Sequence, residues 1–221
     1  MSFYPPYKDQ FAALTLHQRG LLKHIPDLEE IEGWLLLVEA VELFSLARQL
    51  TSKNPIVCEI GTWKGKSAYV FANAIKPQDG VLYCVDPFNG DGDSASIASY
   101  KKEIQKLNTS LQGNFEETMK RYNLRNHIVI IPMNSEEAHS HFPGNKIDLL
   151  FIDGNHQYEH VRKDYLMWES LIPSGGTIII HDVKAVHIDG PQRVMNEFIL
   201  KNPQKWKKVR IVGEMGVAIK D

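Results

Sequence analysis

Short apolar runs recur along the chain: Ile56 to Ile60, Val81 to Val85, His127 to Ile131, Ile147 to Ile152 and Thr177 to Ile180. Each is rich in β-branched residues and lies near Pro, Gly or Asn, the pattern of a buried strand. Between them the spacing turns helical. It predicts helices over 67–75, 95–107 and 115–122, over 158–171 with Val161, Tyr165 and Trp168 on one face, and over 191–200. Two more helices are predicted ahead of the first strand. One runs from Gln10 to Lys23 and stops before Pro26; the other starts near Asp27 or Glu29 and reaches Leu50, with Trp34, Leu37, Val38, Val41 and Phe44 as its apolar stripe. Trp206 to Val212 and Val217 to Lys220 flank Gly213 to Gly216 and predict a closing hairpin. Strands alternating with helices make an α/β fold, a mostly parallel sheet covered on both faces. The hairpin brings the expected sheet to seven strands, one of them antiparallel near the C-terminus. Residues 1–52 then form an N-terminal arm and helical extension packed on a core of residues 53–221, within one structural domain.

Composition narrows the classes. At 221 residues and 43% hydrophobic content the chain can bury a sizeable core, which excludes disorder. The net charge of −2 gives no basic excess for nucleic acid, and Lys205, Lys207, Lys208 and Arg210 read as a solvated strand face. The apolar run Trp34 to Val38 is far too short to span a bilayer. The opening residues lack the basic start and apolar core of a secretory signal, so a soluble, cytoplasmic protein is expected. Cys58 and Cys84 both fall in predicted strands and read as core residues rather than a disulfide.

The chemistry gathers around residues 56–67. A strand, a glycine turn and a helix starting at Ser67 should place free backbone N–H groups and a positive dipole end together, where something anionic or polar would sit. A dinucleotide fingerprint needs glycine where Trp63 stands, and a P-loop needs glycine at Ile60, so Gly65-Lys66-Ser67 is not a phosphate loop. What remains is Glu59-x-Gly61-x-x-x-Gly65-x-Ser67. This resembles the S-adenosylmethionine (SAM) loop of Rossmann-like class I methyltransferases, especially the catechol O-methyltransferase group. The resemblance implies that Gly61, Thr62, Trp63, Gly65 and Ser67 embrace the methionine part, with Glu59 supporting the loop or the amino group. An ordinary βα turn without ligand is the competing reading.

Other candidates fall on the same edge of the sheet. Asp86, at the end of the second strand, is placed to accept ribose hydroxyls or simply to cap the next turn. Residues 88–96 are polar and glycine-rich, a candidate lid; Asp91 and Asp93 lack the closing Glu of a calcium loop. Residues 1–8, aromatic and proline-rich, read as an N-terminal arm or as a flap over a substrate pocket. Asn134 and Ser135 follow the third strand, where the resembling family holds adenine. Asp153 and His156 follow the fourth strand, and His181-Asp182 follows the fifth.

Ile152-Asp153-Gly154-x-His156-x-Tyr158 is similar to a signature of a broad bacterial methyltransferase family that includes presumed small-molecule and sugar O-methyltransferases. In the catechol-type group a lysine base stands three residues after the Asp, so the resemblance gives that role to His156, with Asp153 beside it. Imidazole titrates near neutral pH without a large shift; a surface histidine opening a helix is the other reading. The same group holds magnesium with an Asp and an Asp-Asn pair, which implies Asp153, His181 and Asp182 here, for magnesium or manganese. A nitrogen donor weakens magnesium and favours manganese, iron or zinc; a metal-free hydrogen-bonded site is equally open. The expected activity is SAM-dependent O-methylation of a small hydroxylated molecule, without nucleic-acid or membrane partners. The N-terminal helices offer a homodimer face. The alternatives are an NAD(P)-binding oxidoreductase and a non-catalytic SAM-fold binding protein.

Overall fold

The computed structural model describes residues 5–93, 96–143 and 146–221. Helices α1 (Tyr7–Ala13), α2 (Leu16–Leu22) and α3 (Leu37–Arg48) precede strand β1 (Ile56–Ile60). Then come α4 (Lys66–Ile75), β2 (Val81–Val85), α5 (Ile97–Ile104), α6 (Leu111–Arg121), β3 (Ile128–Ile131) and α7 (Ser135–His141). The chain closes with β4 (Leu149–Ile152), α8 (Tyr158–Trp168), β5 (Thr177–Ile180), α9 (Gly190–Val194), β6 (Trp206–Val212) and β7 (Met215–Lys220).

The strands form one seven-stranded sheet in the order β3-β2-β1-β4-β5-β7-β6. The pairs β1–β2, β1–β4, β2–β3 and β4–β5 are parallel, and β7 runs antiparallel to both β5 and β6. The expected fold class, with its single reversed strand, is therefore the one observed. The order reverses between β1 and β4, and at such a switch point the loops at the carboxyl ends open a crevice. Alternation along the strands splits the core. Val57, Leu149 and Phe151 pack with α3, α4 and α6 on one face; Cys58, Ile60, Leu150 and Ile152 pack with Val161, Tyr165 and Trp168 of α8 on the other. Cys58 and Cys84 are buried and unbridged. Among the described residues no helix is long and apolar enough to cross a membrane.

Three expected elements differ. The helix expected over 10–23 breaks at Leu14, because Thr15 starts α2 with a capping box, accepting from Gln18 N while Gln18 Oε1 accepts from Thr15 N. The helix expected from residue 27 or 29 to 50 starts only at Leu37; a short 3₁₀ turn, Leu28–Glu30, and an extended segment come first. That segment moves Trp34 off the predicted stripe and leaves it 41% exposed. The loop after β3 becomes α7, capped by Asn134, whose side chain accepts from Glu137 N.

Candidate active site

The loop after β1 is shaped by two glycines. Gly61 has φ +89°, and a Cβ there would run into the backbone of Asp153 and Gly154. Gly65 has φ +90°, caps α4, and lies under the ring of Phe115. Trp63 between them is also left-handed, at φ +52°. The amides of Thr62 and Trp63 are not free: both donate to Asp86 Oδ2 at 2.8 Å, while Asp86 Oδ1 accepts from Phe88 N at 2.7 Å. The anion expected at this turn is the protein's own carboxylate. Burial raises the Asp86 pKa, and the three amide bonds oppose that rise. Glu59, fully buried, accepts from Ser67 Oγ at 2.9 Å, whereas its Oε1 has no aligned partner among the described residues. Burial pushes the Glu59 carboxyl up to about 7, against the Ser67 hydrogen bond.

Two distant segments hold this loop from outside. The Trp63 ring packs against Tyr100 of α5 at 4.7 Å between centroids and against Trp34 at 5.7 Å. Lys64, only 4% exposed, pairs with Glu32 and lies 3.6 Å from Glu103. The candidate lid is anchored at Asp93, which is buried against His156; residues 94 and 95 lie outside the described residues, as does Tyr4 of the arm. Pro5 and Tyr7 line a cavity of about 380 Å³ with Gly33 and Lys66, away from His156.

The carboxyl ends of β4 and β5 carry the acid–histidine cluster. Asp153 N donates to Ile60 O and His181 N to Ile152 O, which fixes both rim residues in register with the sheet. His181, 2% exposed, has Nδ1 at 3.1 Å from Asp153 Oδ1 and 3.4 Å from Asp182 Oδ2, aligned for a hydrogen bond with neither. Its Nε2 meets Glu39 Oε2 of α3 at 3.3 Å. His156 is bound at both nitrogens, Nδ1 at 2.7 Å from Asp93 Oδ2 and Nε2 at 3.1 Å from Asp182 Oδ2. Burial alone would lower the His156 pKa, but its bond to Asp182 and the surrounding carboxylates raise it to about 9. His181 is likewise raised, against burial, by the charge of Asp153. Burial raises Asp153; Asp182 resists burial and is pulled well below the usual range by the two histidines. Asp153, His181 and Asp182 each present a ligand atom, all within 4.8 Å of one another. A buried, unaligned nitrogen facing two carboxylates is a donor set that suits a cation.

Beyond His156 lies a cavity of about 300 Å³, lined by Asp93, His156, Gln157, His187, Ile188 and Asp189 among others. Asn134 and Ser135 stand at the rim of β3 with their side chains engaged in hydrogen bonds to other residues of the chain. Asn134 caps α7, and the Ser135 hydroxyl donates to Asp164 of α8. The structure thus brings Asp153, His156, His181 and Asp182 together beside the Gly61–Ser67 loop. In the sequence Glu39 and Asp164 are given no role, and Asp93 is weighed only for a calcium loop. Glu39 and Asp164 sit on helix faces otherwise apolar, and that misplaced charge is the signal that could have found them.

Comparison with known proteins agrees with this geometry. Residues 58–183, more than half of the chain, match the family described as "Methyltransferase domain". An uncharacterised protein of Acanthamoeba polyphaga mimivirus is 30% identical over 140 residues, 63% of this chain and 57% of the relative. The match thus spans little more than half the length of that relative. The O-methyltransferase NovP superposes with a TM-score of 0.67 over 83% of this chain and 80% of its own, at 14% identity. The O-methyltransferase TomG from Streptomyces achromogenes, involved in tomaymycin synthesis and solved with SAM, gives 0.60 over 94% and 90%, at 13% identity. Likeness at that identity is a likeness of fold.

Proposed function

The chain belongs to the methyltransferase family, and from that premise we propose that it transfers the methyl group of SAM to a hydroxyl oxygen of a small molecule. The observation that carries this reading is one convergence. A strand–glycine–helix loop, held by Asp86 and Glu59, abuts a buried acid–histidine cluster at the reversal of strand order, and a cavity of about 300 Å³ opens beside it. The O-methyltransferases NovP and TomG share the fold, and TomG was solved with SAM. Family membership and Trp63 in the loop speak against the oxidoreductase.

In this reading the methionine part lies against Gly61, Thr62, Trp63, Gly65 and Ser67. Asp86 Oδ1, which accepts one amide, keeps capacity for a ribose hydroxyl. Asn134 and Ser135 border the adenine, chiefly through backbone since both side chains are engaged. The acceptor enters from the cavity at His156. Its oxygen attacks the methyl in line, the C–O bond forms as the C–S bond breaks, and S-adenosylhomocysteine and one proton leave. His156, once its own Nε2 proton has left to solvent, takes that proton at Nε2 in place of its Asp182 contact, with Asp93 at Nδ1 holding the ring. Asp153, His181 and Asp182 would hold a divalent cation, magnesium or more readily manganese, that orients acceptor oxygens and lowers a hydroxyl pKa.

Calorimetric titration with SAM and S-adenosylhomocysteine tests the cofactor. A screen of phenols, sugars and hydroxy acids for S-adenosylhomocysteine release, with and without manganese, tests the reaction. Absence of binding by either nucleoside would sink the proposal; binding without turnover across the screen would favour the non-catalytic alternative.

A further inference from the structure

Glu39 has no part in the reading above, yet it is fully buried and spans three elements. It belongs to α3, 142 positions before His181 in sequence. Oε2 accepts from Leu36 N at 2.7 Å, and Oε1 accepts from Glu214 N, in the turn between β6 and β7, at 2.6 Å. That turn makes room for it: a Cβ on Gly213 would stand 2.5 Å from Glu39 Oε1. Two amides can only donate, so both oxygens face donors, and the remaining neighbour of Oε2 is His181 Nε2 at 3.3 Å. An imidazole N–H at that position completes the set.

The consequence falls on the other side of the ring. Where a cation takes the place of the Nδ1 proton that the charge of Asp153 favours, Nε2 keeps its proton toward Glu39 and the Nδ1 lone pair lies 3.1 Å from Asp153 Oδ1 and 3.4 Å from Asp182 Oδ2. Three acceptors facing one another repel unless a cation or a shared proton lies among them. We propose that Glu39 is a positioning residue that fixes the His181 tautomer, so that Nδ1 joins Asp153 and Asp182 in ligating a divalent first-row cation. The arrangement is a carboxylate–histidine–metal relay whose outer carboxylate comes from the N-terminal extension. This rests on the cation part of the proposed function and assigns it a residue outside the matched family region, 58–183.

The test uses the full-length chain, wild type and Glu39→Gln, with Glu42→Gln on the same helix as control. Co(II) is titrated and followed by visible absorption. Zn(II)-loaded protein carrying ¹⁵N-histidine is examined by long-range ¹H–¹⁵N correlation, which reads which ring nitrogen is protonated. The wild type and Glu42→Gln should bind Co(II), with His181 protonated at Nε2 and metal-bound at Nδ1. Glu39→Gln, whose amide can donate to Nε2, should bind roughly 10- to 100-fold more weakly and lose the Nε2–H signature. Equal affinity and an unchanged signature in folded Glu39→Gln would overturn the role of Glu39 and leave the cation reading standing. Zn(II) bound at Nε2 in the wild type would overturn it without any variant, so a failure of Glu39→Gln to fold does not shield it. Wild type binding neither Co(II) nor Zn(II) would overturn the cation reading and this inference together, while SAM titration scores the methyltransferase reading independently.

Discussion

Asp86 Oδ2 accepts the backbone N–H of Trp63 at 2.8 Å, and the same oxygen accepts from Thr62 at the same distance. The carboxylate at the end of β2 therefore fixes the loop after β1, holding Trp63 in its left-handed conformation. In Asp86→Asn one oxygen becomes an amide donor and cannot serve three N–H groups. Charge-assisted bonds of this kind are worth ~1.5–3 kcal/mol, so the melting temperature should fall by several degrees. SAM affinity should fall at least about tenfold, the equivalent of ~1.4 kcal/mol. A Kd unchanged in the folded variant would leave Asp86 a loop clamp with no share in ribose binding.

Gly61 and Gly175 separate two costs of replacing glycine. Both have positive φ, +89° and +79°, but a Cβ on Gly175 meets nothing within 4 Å, whereas on Gly61 it meets the Asp153 and Gly154 backbone. Gly175→Ala should lose ~1 kcal/mol from backbone strain alone. Gly61→Ala must also push β1 and β4 rims apart, and should lose at least ~2 kcal/mol more together with SAM binding. Urea denaturation of the two variants side by side measures the difference; equal losses would mean the rim yields freely.

The buried carboxyl groups set a pH dependence. Burial holds Asp164 at about 7 despite its bond from Ser135, and Glu59 also stands at about 7. Both folded values exceed the unfolded ones, so the folded chain binds more protons between about pH 4 and 7. Their contribution is fully present below the unfolded pKa and is lost as pH rises through about 7, at up to ~1.4 kcal/mol per pH unit for each group. Asp164→Asn keeps a neutral partner for Ser135 and removes one titration. Its stability between pH 5 and 7.5 should therefore fall less than that of the wild type, as urea midpoints would show; parallel curves would mean that Asp164 is ionised throughout.

The sheet was legible because β-branched runs and glycine turns are local signals; the order of its strands is set by crossovers that no local pattern fixes. The loop glycines and the rim residues Asp86, Asp153, His156, His181 and Asp182 are placed at one edge of the sheet by the same kind of signal: a carboxylate or imidazole just after a strand has one place to go. What stayed hidden is long-range. That Asp86 would take the loop amides depends on Trp63 turning left-handed, and no propensity announces that for tryptophan. Asp93 reads locally as part of an incomplete calcium loop, and only the fold sets it against His156. Glu39 carries no local signal of its own, because its neighbours Val38, Ala40 and Val41 make a helix; only the fold shows that His181 and the β6–β7 turn meet it.

His156 carries the sharpest catalytic prediction, because its hydrogen-bonded geometry both supports and restrains it. Its ring is held by Asp93 and Asp182 and charged at neutral pH, so it cannot take a proton while Asp182 occupies Nε2. An acceptor hydroxyl that displaces that contact also removes the carboxylate bond that raises the pKa, so the Nε2 proton leaves to solvent and the neutral imidazole can take the acceptor's proton. His156→Ala should leave SAM affinity within about twofold, because its polar partners are Asp93 and Asp182 rather than the Gly61–Ser67 loop, and should lower kcat by roughly 10²- to 10⁴-fold. Asp93→Asn keeps the ring in place but weakens its hold, and should cost less in kcat than His156→Ala. Full turnover in His156→Ala would move the proton's destination to Asp153 or to solvent; loss of SAM binding in the same variant would mean that His156 shapes the cofactor site rather than the acceptor's.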